Sequence, residues 1–419
     1  MILAINTTVL FASLSVFLLV ILLLTITLLF AKRFLVAAGD VTLTINGEKE
    51  LKVAAGGNLL NTLSAQKIFL PSACGGGGTC AQCKCQVIEG GGEILPTETG
   101  YFTRREIKDN WRLSCQVKVK DNMSIRMDEA ILGIKKWECE VVSNNNVATF
   151  IKEFVVKLPE GEKLNFTPGG YIQIDVPKYT AKFSDFEIEE RFRGDWDKFK
   201  MWNLACSNDE ESMRAYSMAN YPAEGDIVML NVRIATPPFD KATGGFMNVK
   251  PGICSSYIFG LKAGDKVMVS GPFGDFFPNL DSKREMLYIG GGAGMAPLRS
   301  HILHLLKVLK IKDRKISYWY GARSKNEIFY ESDFRELEAE FPNFTFHIAL
   351  SEPQPEDNWT GSVGFIHQVI LNNYLKDIDE PEDIEYYMCG PGPMAKAVEN
   401  MLWNLGVPKE MLRFDDFGS

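Results

Sequence analysis

The sequence predicts a multidomain chain of four successive parts. These are a single N-terminal transmembrane helix, a small β-rich domain around a cysteine–glycine loop, an antiparallel β-barrel, and an α/β domain on a parallel sheet. Three observations carry that expectation. Val9 to Phe30 is uncharged and almost wholly apolar. Cys74, Cys80, Cys83 and Cys115 follow the pattern C-x5-C-x2-C-x31-C. Beyond Asp281, strand-like and helix-like segments alternate behind the run Gly290-Gly291-Gly292-Ala293-Gly294. A length of 419 residues suits about three domains. A composition 46% hydrophobic and 23% charged suits globular cores, and a net charge of −8 gives no general attraction to nucleic acid or anionic lipid.

The anchor is assigned to residues 1–35, with its helix at about 9–30. Twenty-two helical residues span about 33 Å, enough for a hydrocarbon core of about 30 Å. Lys32 and Arg33 follow at once. Basic residues stay on the cytoplasmic side, so the N-terminus is expected outside and the rest inside. A cleaved signal peptide competes, with Ala37-Ala38-Gly39 imitating a cleavage site. The positively charged start is missing, however, and the apolar run exceeds the usual length.

Residues 36–130 form the β-rich domain. Val41–Ile45 alternates as a strand, Asn46-Gly47 turns, and Lys49–Val53 returns. Leu59–Gln66 is helical, with Asn58 as its cap. Cys85–Ile88 and Cys115–Val119 are expected strands. Three thiolates on a glycine-rich loop and a distant fourth describe a [2Fe–2S] site, metal ligands Cys74, Cys80, Cys83 and Cys115. The glycines let the backbone curl around a cluster and aim N–H groups at its sulfurs. Structural zinc competes, but it usually shows two paired C-x2-C knuckles, and Cys115 stands alone. Nine cysteines, an odd number, speak against a disulfide framework. Cys85, two residues past Cys83, is a competing ligand on the same strand face.

Residues 131–280 carry the barrel. Regular strands appear at Glu138–Val142, Phe150–Lys157, Tyr171–Val176, Val228–Ile234 and Val267–Gly274. A charged, aromatic insert at 178–213 reads as a solvated loop or a docking segment. Arg214-Ala215-Tyr216-Ser217 follows as a strand, with Arg214 and Tyr216 on one face and Ala215 and Ser217 on the other. Gly252-Ile253-Cys254-Ser255-Ser256 opens a helix whose bare N–H groups make an anion site.

Residues 281–419 alternate strand and helix. Strand Met286–Ile289, the glycine run with Gly290, Gly291, Gly292 and Gly294, and a helix from Arg299 to Leu309 allow close approach of a pyrophosphate. Gly321-Ala322-Arg323-Ser324 and Cys389-Gly390-Pro391-Gly392-Pro393-Met394 sit at strand C-terminal ends, where such sheets bind ligands. Phe417 closes the chain near them.

The loop and the Leu113–Val117 segment resemble the β-grasp ferredoxin domain. The order Arg-x-Tyr-Ser strand, Gly-x-x-Ser helix start and glycine run resembles the ferredoxin–NADP reductase superfamily. There, by resemblance, Tyr216 packs on a flavin, Ser217 lies near its N5, and Arg214, Gly252, Ser255 and Ser256 meet phosphate. Gly290, Gly291, Gly292, Gly294, Arg323 and Cys389 form the NAD half, and Phe417 gates the flavin. The whole chain is similar to the F subunits of bacterial Na+-translocating NADH:quinone oxidoreductases. The strings at 74–80, 214–221, 290–297, 319–324 and 415–418 carry that likeness. Residues 389–394 depart from it by one glycine in place of a proline. The resemblance implies FAD, a [2Fe–2S] cluster and NADH, with hydride passing to the flavin and single electrons passing through the cluster. It implies catalytic roles for Ser217, Cys389 and Phe417. It implies membrane partner subunits of a multi-subunit ubiquinone reductase that pumps Na+, a bacterial inner-membrane location, and no nucleic-acid partner. The alternatives are the reductase of an oxygenase system and a membrane-anchored zinc adaptor.

Overall fold

The computed structural model describes residues 7–35, 39–240, 242 and 244–415. It divides into two compact units, residues 1–70 with 76–133, and residues 71–75 with 134–419.

In the first unit the expected N-terminal helix is present as α1, Thr7–Leu35. Its described side chains are those of Phe11, residues 13–27 and Phe30. Among the described residues, no helix is long and apolar enough to cross a membrane. Strands β1 (Asp40–Ile45) and β2 (Lys49–Ala54) are joined at Asn46-Gly47, both with positive φ, as a tight hairpin requires. Helix α2 (Leu59–Ala65) starts at Asn58, whose side chain accepts from the Asn61 N–H at 2.8 Å. Then come β3 (Lys84–Glu89), α3 (Arg104–Lys108), β4 (Trp111–Leu113), β5 (Met123–Arg126) and α4 (Glu129–Leu132), with sheet order β2-β1-β5-β3-β4. Leu43, Ile45, Leu59, Leu63, Leu113 and Ile125 fill the core.

The strand expected at 115–119 is not one. Residues 111–113 pair with β3 instead, and Gln116 N–H turns back to the Leu113 carbonyl at 2.8 Å. Val117 and Val119 still alternate inward, but their backbones pair with Gly56 and Gly57 in the loop before α2 and with Leu59 at its first position. Alternating burial therefore imitated a strand where loop backbone supplies the partners. Beside β4, Arg112 forks onto the fully buried Glu98 at 2.7–3.1 Å and reaches the carbonyls of Gly91 and Gly92. Removing one partner of such a pair costs about 3–5 kcal/mol.

The second unit opens with β6 (Lys135–Ala148), β7 (Ile151–Lys157) and β8 (Tyr171–Val176). The insert follows as β9 (Tyr179–Lys182), α5 (Glu190–Lys198) and β10 (Ala205–Asn208), with β9 and β10 paired antiparallel. Next are β11 (Ser212–Ser217), β12 (Ile227–Arg233), the short pair β13 (Phe239–Asp240) and β14 (Gly245–Phe246), α6 (Ile253–Gly260) and β15 (Lys266–Phe273). The barrel sheet runs β11-β8-β15-β6-β7-β12, and a Met218–Leu230 bridge joins its two edges. The insert is part of this core, not a solvated loop. Phe183, Phe186, Phe192 and Trp196 are buried against Phe259, and the Trp196 indole donates to the Thr149 carbonyl at 2.8 Å.

The chain continues as β16 (Met286–Gly291), α7 (Met295–Leu303), β17 (Ile316–Ala322), α8 (Glu331–Glu340), β18 (Phe344–Leu350), β19 (Ser362–Val363), α9 (Ile366–Asn373), β20 (Glu385–Cys389), α10 (Gly392–Asn404) and β21 (Leu412–Asp415). All six strands are parallel, in the order β19-β18-β17-β16-β20-β21. The helix expected from Arg299 begins at Met295, because Pro297 falls in its first turn, where no N–H is needed. It is buried along its whole length rather than amphipathic. Its outer face meets the barrel. Arg299 donates to the Ala219 carbonyl and pairs with Glu224 at 2.9 Å, and Ser300 Oγ donates to the Asn220 carbonyl at 2.8 Å.

His301 Nε2 meets the Phe276 carbonyl at 2.9 Å, and burial pushes its pKa down to about 4. Gly169 lies at φ +90, and a Cβ there would sit 2.1 Å from His301 Nε2. Between pH 7 and 5 the unfolded imidazole takes up a proton that the folded one refuses. Stability should therefore fall by roughly 2 kcal/mol on acidification. Denaturant midpoints at the two pH values check this, and His301→Gln should shrink the difference.

Candidate active site

The parallel sheet sets the site. Beyond β16 the chain moves outward through β17, β18 and β19, then returns on the other side at β20. Ligands of such sheets bind at that switch point, outside the strand C-terminal ends. There Gly290 stands in register with Cys389, and Cys389 with Asp415. Gly291 ends β16, and Gly292 (φ +56) starts a single 3-10 turn that leads through Gly294 into α7. A Cβ on Gly294 would lie 2.1 Å from the Cys389 carbonyl oxygen and 2.6 Å from the Gly390 nitrogen. Backbone therefore lies directly on backbone here. Among the described residues no side chain caps α7; the 3-10 turn takes the Met295 N–H, and Pro297 carries none.

The barrel delivers Ser217 to the same place. Ser217 ends β11, is buried, and its Oγ donates to Asp415 Oδ2 at 2.6 Å across 198 residues of sequence. Arg214 and Tyr216 share the opposite face of β11, as alternation requires. Arg214 Nη1 donates to the Met213 carbonyl at 2.7 Å. The Tyr216 hydroxyl bonds to the Cys254 thiol on α6; burial pushes the thiol up to about 12 and the phenol well above its ordinary value. That contact brings the Arg-x-Tyr-Ser strand and the α6 start together. Gly252 caps α6 and donates to the Ala235 carbonyl at 2.8 Å. Ser255 Oγ accepts from Ala235 N–H at 3.1 Å and donates to the Gly252 carbonyl at 3.2 Å. Ser256 is fully buried. Phe417 lies outside the described residues.

Arg323 follows β17 directly. Its Nη2 lies 3.0 Å from Asp195 Oδ2 on α5 and 3.6 Å from Glu327 Oε1. Burial raises the Glu327 pKa, and the Thr149 hydroxyl, donating at 2.5 Å, works against that rise.

In the first unit, pairing of β3 with β4 sets Cys83 and Cys115 at one end of the two strands, and Ser114 N–H donates to the Cys83 carbonyl at 2.9 Å. A Cβ on Gly76 would lie 4.0 Å from the Cys115 Cβ, so the glycine loop runs beside that thiol. The Gln116 amide donates to the Cys115 sulfur at 3.7 Å. Cys80 is half-buried in the loop. Cys74, also half-buried, stands in the stretch 71–75 that groups with the second unit, where the Gly75 N–H turns back to Ser72. Among the described residues, no group of three or more His, Cys, Asp or Glu is gathered closely enough to hold a metal ion. The donor set nevertheless suits an iron–sulfur cluster: thiols on a loop of left-handed glycines at 75, 76 and 78, with an amide directed at sulfur. Cys85 is a core residue on β3, its thiol pushed up to about 12 by burial and the nearby Cys83.

Comparison with known proteins agrees with this layout. Three family models match: the 2Fe-2S iron-sulfur cluster binding domain over residues 43–120, the oxidoreductase FAD-binding domain over 198–277, and the oxidoreductase NAD-binding domain over 288–400. Among solved structures, the ferredoxin reductase of a carbazole 1,9a-dioxygenase aligns with TM-score 0.58 at 23% identity, over 91% of this chain and 99% of that one. An Amycolatopsis cytochrome P450 reductase aligns with TM-score 0.61 at 21% identity, over 90% and 98%. The fold is thus that of a ferredoxin-reductase-like protein with an attached iron–sulfur domain. The F subunit of the Na(+)-translocating NADH-quinone reductase of Pseudomonas aeruginosa is 56% identical over 408 residues, 97% of this chain and 98% of that protein. Its Neisseria meningitidis counterpart is 55% identical over 402 residues, 96% and 98%. The chain belongs to the family of these F subunits.

Two residues of the site escaped sequence reasoning. Asp415 lay in a noticed string, but only the parallel pairing of β21 brings it to Ser217. Asp195 lay in an insert with no recognisable motif. Gly294→Ala should force the loop off β20. The expected result is at least about a tenfold loss of adenine-nucleotide affinity, read by calorimetry, with the barrel's far-ultraviolet signature retained.

Proposed function

We infer that this chain is the NADH-oxidising subunit of a Na+-translocating NADH-quinone reductase, an oxidoreductase that uses FAD and a [2Fe–2S] cluster. The observation that carries the reading is the convergence of Ser217, Asp415, Cys389 and the 290–294 loop at the switch point of the sheet. Full-length family membership favours it over the oxygenase-reductase alternative, for which the likeness is one of fold alone. When bound, the flavin accepts hydride from NADH and the cluster carries single electrons.

The residues then divide the work. The α7 start and the glycine loop would hold the pyrophosphate of NADH, and Arg323 would face its ribose. Cys389 and Ser217 would border the place where the nicotinamide reaches the flavin. Ser217 donates its proton to Asp415, which leaves its lone pairs as acceptors at a fixed position. Arg214, Tyr216, Gly252, Ser255 and Ser256 would line the flavin side, and the part of Phe417 as a gate rests on the family resemblance alone. By their spacing, Cys74, Cys80, Cys83 and Cys115 ligate the cluster. Residues 36–130, 131–280 and 281–419 serve as iron–sulfur, flavin and NADH domains.

Helix α1 anchors the chain in the bacterial inner membrane beside the other subunits. In favour of this, its described large apolar side chains are 44–67% exposed on every face, more than water tolerates on a helix. Thr25 and Thr27 bond back to the carbonyls of Ile21 and Leu23, which satisfies their hydroxyls without water. Lys32 and Arg33 orient the soluble part toward the cytoplasm.

An anaerobic titration of the reconstituted full-length protein with NADH, followed by absorption and low-temperature EPR, tests the reading. Flavin bleaching with the signal of a reduced [2Fe–2S] cluster is expected, and a yellow protein without that signal would overturn the cluster assignment. Ser217→Ala should slow flavin bleaching by about tenfold or more while NADH affinity stays within about twofold.

A further inference from the structure

Among the described residues of the insert, Asp195 reaches the nucleotide end of the sheet through a short ion pair with Arg323. Its position is built, not incidental. The neighbouring Trp196 is fully buried, with its ring near Phe183, Trp202 and Phe259 and its indole bonded to the Thr149 carbonyl. Phe192, one turn earlier, is buried in the same core. A second carboxylate, Glu327, lies 3.6 Å from the same Nη2 and is held by the Thr149 hydroxyl. Thr149 thus holds Glu327 through its hydroxyl and, through its carbonyl, the Trp196 that neighbours Asp195 in the chain.

Arg323 occupies the first position past the second strand of the sheet. In dinucleotide-binding folds that region receives the adenosine ribose, where an arginine accommodates a 2′-phosphate and an acidic group takes a free 2′-hydroxyl. No acid ends β17 itself; the acid comes from the barrel insert. The pair remains reachable, with the Arg323 and Asp195 side chains 35% and 25% exposed. We propose that Asp195 is a specificity residue: by occupying Arg323 from the insert, it sets the nucleotide site against a 2′-phosphate and so favours NADH over NADPH. A 2′-phosphate would meet two carboxylates around one guanidinium and would have to displace Asp195 to use it. A ribose with a free 2′-hydroxyl carries no such charge and can donate to a carboxylate. The inference rests on the reading of this end of the sheet as the nucleotide site.

The test is calorimetry on the flavin-loaded full-length protein in detergent, with adenosine 5′-monophosphate and adenosine 2′,5′-bisphosphate as probes. The wild-type protein should prefer the monophosphate. Asp195→Asn, whose amide oxygen can still accept from a 2′-hydroxyl, should tighten the bisphosphate about tenfold and change the monophosphate by less than about twofold. Asp195→Ser, an independent removal of the same charge, should do likewise. The double variant D195N/R323A should lose the gain. Flavin bleaching by NADPH should rise in step with the bisphosphate affinity. Unchanged bisphosphate binding in folded D195N and D195S, or a gain that survives R323A, overturns the proposal. Equal wild-type affinity for the two probes overturns it while leaving the nucleotide site standing. If the wild type binds neither probe, the nucleotide-site reading falls, and this inference with it.

Discussion

The approach of Gly294 to the Cys389 carbonyl is the contact on which the second unit depends. Only a residue without a Cβ allows the loop after β16 to lie on the end of β20. That seating aims α7 along the sheet, and α7 in turn is buried along its whole length, with Arg299 and Ser300 meeting the barrel. On its other edge β20 pairs with β21, which puts Cys389 beside Asp415, and Asp415 holds Ser217 from the barrel. The geometry of the site thus combines this backbone-to-backbone contact with the pairing of β20 and β21.

Polar groups keep barrel and sheet in register where apolar packing alone would allow sliding. Arg299 is shared among Glu224, Asp333 and the Ala219 carbonyl. Asn231 and Glu153 of the barrel both bond to the Tyr330 hydroxyl beside it. Buried charges give little net stability, since desolvation offsets their attraction, but they penalise every arrangement that leaves one unpaired. That penalty suits a site whose reacting atoms must stay within contact distance. The insert belongs to the same scheme: its aromatic residues complete the barrel core, and its acid reaches the edge of the nucleotide end.

Much of the fold was legible because its signals are local. The Asn46-Gly47 hairpin, the cap at Asn58 and the buried strands of the parallel sheet each depend on residues close in sequence, and the structure has them. Two expectations failed for one reason. Val117 and Val119 alternate like a strand, yet loop backbone is their partner; residues 178–213 are charged like a loop, yet their aromatics close a core. In both, burial is decided by what lies opposite, and periodicity does not report that. The start of α7 was missed because Pro297 reads as a stop unless it is known to lie in the first turn.

The sequence alone determined which chemistry the chain can host. Thiol spacing, the Arg-x-Tyr-Ser strand and the glycine run are demands of ligand shape on consecutive residues, so they are written consecutively. The tertiary structure decided which distant side chains serve that chemistry. Asp415 reaches Ser217 only because β21 adds in parallel to β20, and Asp195 reaches Arg323 only because Trp196 fixes α5 in the barrel core. Such partners are chosen by the packing of whole elements, and no local pattern records them.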